Sequence, residues 1–200
     1  METIASFFYS IDRTLFYFLN HAFVNPVLDW LMPMITEEDN WRIPILLVWL
    51  SLMVFGGKKG RITALLVLLI VALSDQLVNF VIKPWIGRVR PCFVLENVRC
   101  LIDQPNSPSF PSSHASNMAA MATLFSYRYR RYTAGFVFIA FLISFSRMYV
   151  GVHYPSDMTA GWCVGIVCAV VILFLGRKAG DRIQMRSGDR NEKAIRKDQD

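Results

Sequence analysis

Three short stretches of this chain gather residue types that handle anions and protons. The first is Lys83-Pro-Trp-Ile-Gly-Arg-Val-Arg90-Pro91. Its cations could hold an anion; taken alone they read as interfacial anchors whose charged heads reach lipid headgroups. The second is Pro111-Ser112-Ser113-His114. Serines at a helix start are more often caps than reactive groups. The same geometry points free N–H groups and the positive end of the helix dipole at an anion. A histidine in that first turn can donate or accept a proton there. The third is Ser146-Arg147-Met-Tyr-Val-Gly-Val-His153-Tyr-Pro-Ser-Asp157. Pro155 sets His153 on a turn, and Asp157 opens the next helix within reach of the imidazole. A histidine held in one tautomer by a carboxylate can attack through its other nitrogen. Taken alone, the pair also fits an interfacial His–Asp contact with an N-cap aspartate.

The elements that must position these stretches are read from hydropathy. Of the 200 residues, 54% are hydrophobic, with a mean hydropathy of +0.37. A soluble domain is usually about 45–50% apolar, and here the excess lies in long runs, which points to a membrane protein. The length fits one domain. The start carries Glu2 and Asp12 and lacks a basic n-region followed by an unbroken apolar stretch, so insertion is expected to come from the spans and not from a cleaved signal. A membrane-crossing helix needs about 20 mostly apolar residues. Five segments approach this: 41–57, with Asn40 as its expected cap and Pro44 in its first turn, then 62–82, 113–127, 133–149 and 158–175. Near the N-terminus Ile4, Phe7, Phe8, Ile11, Leu15, Phe18, Leu19 and Ala22 form one stripe, with Asp12, Arg13 and Asn20 off it. That pattern suits a helix lying in the interface. A sixth span there would be made costly by Asp12 and Arg13. Pro26 ends this helix, and 27–35 forms a second short one. The expected fold is therefore all-α, a multi-pass transmembrane bundle of five strong spans with N-terminal amphipathic helices over 1–36. The domain runs 1–178, its bundle 41–176, and a basic polar tail over 179–200 is expected to be mobile.

Loop charges set the orientation. Lys58, Lys59 and Arg61, then Arg128, Arg130 and Arg131, then Arg177 and Lys178 follow alternate spans, and all should be cytoplasmic. Loops 83–112 and 147–157 then lie on the periplasmic or extracellular side of the inner (plasma) membrane. Lys83, Arg90, Ser112, Ser113, His114, Arg147, His153 and Asp157 all fall at the outer ends of spans. They share one depth and can converge.

Together the three stretches resemble the type 2 phosphatidic acid phosphatase family, also called the lipid phosphate phosphatase and vanadium haloperoxidase superfamily. That family has lysine, six residues and Arg-Pro, matched by Lys83 and Arg90-Pro91. It has Pro-Ser-Gly-His, matched by Pro111 to His114 with Ser113 in place of glycine. It has Ser-Arg, five residues, histidine, three residues and aspartate, matched by Ser146-Arg147, His153 and Asp157. The resemblance implies His153 as nucleophile, forming a phosphohistidine, with Asp157 orienting it. It implies His114 as the acid that protonates the leaving oxygen and then activates water. Lys83, Arg90 and Arg147, with the backbone around Ser112 and Ser113, hold the phosphate. The implied partners are the bilayer and a membrane lipid phosphate, with no nucleic acid and no metal or other cofactor. Candidates are undecaprenyl diphosphate, phosphatidylglycerol phosphate, phosphatidic acid and the 1-phosphate of lipid A. Vanadate-dependent oxidation is the alternative within the family, and its soluble members argue against it here. A transporter or structural protein is the alternative outside it; a transporter would usually show an internal repeat, and none is visible.

Three further expectations attach to single residues. Cys92 and Cys100 share the outer loop, where an oxidising compartment would favour a disulfide. Asp75 and Asn79 lie two turns and one turn before Lys83, respectively, and are expected to bond to neighbouring helices. Ala115, Ser116, Ala119 and Ala120 give small-xxx-small spacing for close helix packing.

Overall fold

The computed structural model describes residues 2–104 and 106–197, and every regular element among them is helical. The elements are α1 (Glu2–His21), α2 (Pro26–Thr36), α3 (Glu38–Phe55), α4 (Gly57–Gln76), a π turn (Leu77–Ile82), α5 (Lys83–Ile86), α6 (Pro91–Val94), α7 (Ser113–Arg128), a 3-10 turn (Arg130–Tyr132), α8 (Thr133–Tyr149) and α9 (Pro155–Lys197). Residues 179–197 of the basic tail thus continue the backbone of α9, and 198–200 lie outside the described residues.

Local chemistry explains the ends. Asn25 caps α2, its side chain accepting the Leu28 N–H at 2.9 Å, with Pro26 in the first turn. Helix α3 starts earlier than the apolar run suggests, at Glu38, which leaves Pro44 inside the helix. Asn40 is therefore not its cap. Its amide donates instead to the Met34 carbonyl (3.1 Å), and Trp41 Nε1 donates to Ile35 (2.9 Å), so both tie α3 to α2.

Among the described residues, three stretches are long and apolar enough to cross a membrane: Gly57–Val94, Arg130–Tyr149 and Pro155–Ala179. The other two expected spans exist as helices, but α3 opens with Glu38, Asp39 and Arg42, and α7 has only 16 residues. The surface is inverted relative to a soluble protein. No residue of α3 is buried, and Ile43, Leu47 and Val48 are each at least 59% exposed. Continuous apolar surface of this kind needs an apolar solvent.

Helix α7 is central and packs on α9, α8 and α4. Its Ala115, Ser116, Ala119 and Ala120 are buried, as their spacing predicts. They face Gly161 and Gly165 of α9, so close that a Cβ on Gly165 would lie 2.0 Å from the Ser116 carbonyl oxygen. Only glycine permits that approach. A Ser74–Ser116 hydroxyl bond (2.7 Å) joins α4 to α7, and Trp162 Nε1 donates to Ser144 Oγ (2.8 Å), joining α9 to α8.

Helix α1 turns its two faces the way a lipid-bathed helix must. Phe7, Phe8, Leu15 and Phe18 point outward, while Asp12, Phe16 and Asn20, spaced one turn apart, are buried against the protein. Asn20 donates to the Tyr149 carbonyl (2.7 Å) and accepts the Arg99 N–H (3.0 Å). The expected disulfide is not formed. Cys92 and Cys100 are free thiols; Cys100 Sγ donates to the Ile102 carbonyl (3.3 Å), and Cys92 packs against the cluster around Met32 and Val152.

Candidate active site

The three stretches converge on one cavity of about 310 Å³, lined by Glu38, Asp75, Asn79, Lys83, Arg90, Gln104, Ser113, His114, Arg147 and His153. Lys83 arrives at the end of the α4 helical run and is 8% exposed. Its ammonium donates to Asn79 Oδ1 (3.0 Å) and Ser113 Oγ (2.8 Å), leaving one of its three donors for a ligand. Asn79 Nδ2 in turn donates to Asp75 (2.8 Å), which also receives Asn117 Nδ2 of α7 (3.3 Å). Asp75 and Asn79 therefore bond to a neighbouring helix, as their positions predict, and they also line the cavity.

The chain reverses at Gly87, in the left-handed region at φ +64°, and enters an extended run that delivers Arg90. Arg90 is 4% exposed. Its Nε and Nη2 donate to Ser107 O and Oγ, both at 3.0 Å, and Nη1 lies 3.0 Å from His153 Nε2. Arg147, in the last turn of α8, donates to Thr36 Oγ1 and Gln104 Oε1, both at 3.0 Å. Its Nε is buried with no partner.

Helix α7 begins at the cavity. Ser112 is its cap, accepting the Ala115 N–H at 3.4 Å and donating its own N–H to the Asp157 carbonyl at 3.0 Å. Its side chain is fully buried and does not line the cavity, whereas Ser113 does. The Ser112 hydroxyl thus serves as the cap expected of a serine at a helix start, its N–H is taken by Asp157, and Ser113 is the serine whose side chain reaches the cavity. His114 lines the cavity too. Its Nε2 is buried and 3.1 Å from Glu38 Oε1, yet off the line of a hydrogen bond.

His153 follows a turn that needs Gly151. That residue has φ +88°, and a Cβ there would sit 2.6 Å from the Arg99 carbonyl oxygen. His153 is 1% exposed, with Nδ1 3.3 Å from Asp157 Oδ2. Burial first, and then the cations Arg147, Arg90 and Lys83, push its pKa well below 6.5. The imidazole is therefore neutral at neutral pH. Arginine only donates, so Nε2, facing Arg90, is the acceptor nitrogen. Nδ1 then carries the proton and donates to Asp157. The Nε2 lone pair therefore rests on the Arg90 N–H at the cavity wall, and it becomes a nucleophile when an entering anion takes over that donor.

Asp157 is fully buried. Its Oδ2 also accepts the Tyr154 N–H at 2.9 Å, and its Oδ1 accepts Arg88 Nη1 at 2.8 Å. Arg88 lies over the Tyr154 ring at 3.8 Å and bonds onward to Asp12 of α1. Sequence reasoning missed Arg88, since a second arginine among interfacial cations carries no separate signal. It also missed Glu38, Gln104 and Thr36, single polar residues of unrelated segments.

Comparison with known proteins gives the family to which this geometry belongs. Residues 63–180 match the PAP2 superfamily. The chain is 28% identical over 187 residues to the lipid A 4'-phosphatase of Bacteroides thetaiotaomicron, covering 89% of this chain and 82% of that protein. It is 31% identical over 160 residues to the undecaprenyl-diphosphatase BcrC of Bacillus subtilis, covering 80% and 79%. Its fold is similar to the crystal structure of the transmembrane PAP2 type phosphatidylglycerolphosphate phosphatase of Bacillus subtilis, with a TM-score of 0.64 and 26% identity over 84% of this chain and 86% of that one. The matched region contains every cation and histidine around the cavity, and the chain belongs to the PAP2 superfamily.

Proposed function

We propose that this membrane lipid phosphatase hydrolyses a phosphomonoester or diphosphate on a lipid headgroup through a phosphohistidine on His153. The observation that carries the reading is the placing of His153, with Nδ1 at Asp157 and Nε2 at Arg90 on the wall of a cavity ringed by Lys83, Arg90 and Arg147. In the first step Nε2 bonds to phosphorus as the bond to the leaving oxygen breaks, and His114, which takes up a proton once the bound phosphate offsets the charge of the surrounding cations, delivers that proton to the leaving oxygen. Asp157 stabilises the imidazole as it gains positive charge. In the second step neutral His114 takes a proton from water, whose oxygen displaces His153 and releases phosphate. Three fixed cations suit a reaction that is mostly positioning and charge stabilisation. The unpartnered Nε of Arg147 is a buried donor open to a phosphate oxygen, and the unbonded Nε2 of His114 is open to exchange a proton with one.

Five spans with the site on the outer face remain the favoured topology. Arg128 donates to the Lys59 carbonyl at 3.0 Å, and Lys59 lies over the Tyr129 ring at 4.6 Å. The first two basic loops thus meet at one end of the bundle, which supports reading that end as cytoplasmic by the positive-inside rule. The aromatic outward face of α1 supports an interfacial place for it. The lipid tail would stay in the bilayer while the phosphate enters the cavity. The test is phosphate release by purified protein from undecaprenyl diphosphate, phosphatidylglycerol phosphate, phosphatidic acid and lipid A. At least one should be hydrolysed by wild type and none by His153→Ala. Turnover by His153→Ala near wild type would end this reading.

A further inference from the structure

Asp157 presents one carboxylate oxygen to His153 and the other to Arg88. Arg88 is a branch point. Its Nη1 serves Asp157 (2.8 Å) and Ser156 Oγ (2.6 Å), while Nη2 serves Asp12 Oδ2 (2.5 Å). Asp12 is 7% exposed and lies on α1, far from the other site residues in sequence. Its Oδ1 accepts the Ser156 N–H at 2.9 Å and its Oδ2 also accepts the Ser156 hydroxyl. The carboxylate therefore sits at the first turn of α9, where negative charge is favoured, one residue before Asp157. Burying a charge is costly unless it is paired and hydrogen-bonded, and here the three bonds that compensate it come from Arg88 and Ser156, the two groups beside Asp157.

We propose that Asp12 is a positioning residue for the nucleophile, acting through Arg88 and Asp157. The reason is a competition for one guanidinium. Shared between two carboxylates, Arg88 gives Asp157 Oδ1 a single N–H and leaves Oδ2 to the Tyr154 N–H and His153. Without Asp12, Arg88 is free to bind Asp157 with both Nη groups, the preferred geometry of such a pair. That draws the carboxylate off a histidine contact already 3.3 Å long. Helix α1, whose other face is aromatic and outward, thereby becomes part of the catalytic geometry.

This inference rests on the reading of His153 as nucleophile, and its test separates the two. Wild type, Asp12→Asn, Asp157→Asn, the double variant and His153→Ala are purified as full chains. They are assayed on whichever of the four lipid phosphates wild type turns over fastest. Asp12→Asn should lower kcat about tenfold with KM within about twofold. In the Asp157→Asn background the same change should cost less than about twofold, because its route is already cut. Asn20→Ser, which loosens α1 at its other buried tie, controls for simple undocking and should not show that coupling to Asp157. The inference is overturned if Asp12→Asn matches wild type, if its loss is equal in both backgrounds, or if Asn20→Ser couples to Asp157 equally. Those results, with His153→Ala inactive, leave the nucleophile reading standing. An active His153→Ala removes both.

Discussion

Replacing Gly165 by alanine adds one methyl group where α9 crosses α7, and its consequence follows from distance. The new Cβ would lie 2.0 Å from the Ser116 carbonyl oxygen, a backbone atom that cannot rotate away. Ordinary contact begins at 3.4 Å, so the helices must part by about 1.4 Å. At Gly161 the corresponding distance is 2.6 Å, to the Ser112 carbonyl oxygen, and at Gly176 nothing lies within 4 Å. Two effects oppose each other. Glycine to alanine inside a helix gains about 1 kcal/mol from propensity. Overpacking costs about 1–3 kcal/mol. Propensity wins at Gly176 and loses at Gly165. The crossing also sets the chemistry, since α7 carries His114 and α9 carries Asp157. A misplacement of about 1 Å can cost about 10²-fold in rate. Thermal unfolding in detergent and phosphate release from a lipid phosphate should rank Gly176→Ala first, Gly161→Ala next and Gly165→Ala last, the last losing about 10²-fold in activity. Equal gains in stability at all three positions, with activity intact, would refute the reasoning.

The remaining predictions are brief. Burial and the three cations depress the pKa of His153 well below 6.5, so its reactive neutral form is lost only as pH falls through that lowered value. The acid limb of kcat/KM should lie below pH 6.5, and a limb at higher pH traced to His153 would contradict its environment. Asn79→Ala removes the acceptor shared by Lys83 and Ser113; turnover should fall about tenfold in steady-state assays, and an unchanged rate would mean Lys83 is held without it. Excess chelator should leave phosphate release intact, whereas loss restored by added magnesium would count against catalysis by cations of the chain alone.

Much of the site was legible because its residues come in short stretches with fixed spacing. Lys83, Arg90, His114, Arg147, His153 and Asp157 could be placed at one depth from span ends and loop charges before any coordinate was known. Their helices fall where hydropathy put them, and α8 begins and ends at the expected residues. What escaped is the set of long-range partners. Asp12 and Arg88 meet across 76 positions, and Arg147 finds Thr36 across 111. No local pattern encodes such a pairing. The amphipathic stripe of α1 was read correctly as a stripe, but its polar residues were seen only as a burden to spanning, while two of them, Asp12 and Asn20, dock the helix. The glycines of α9 were overlooked because small-residue spacing was noticed on α7 alone, and close packing needs both sides. Ser112 shows the converse, a residue inside a motif whose hydroxyl the fold consumes as a cap.

The most direct test of the central claim is chemical trapping of the intermediate. A lipid phosphate labelled with ³²P in the hydrolysed group would be mixed with enzyme, quenched in alkali within one turnover, and the labelled peptide mapped. Label that survives alkali, is released by acid and maps to His153, and that is absent from His153→Ala, is the result predicted. Label on another residue, or turnover by His153→Ala near wild type, would contradict it.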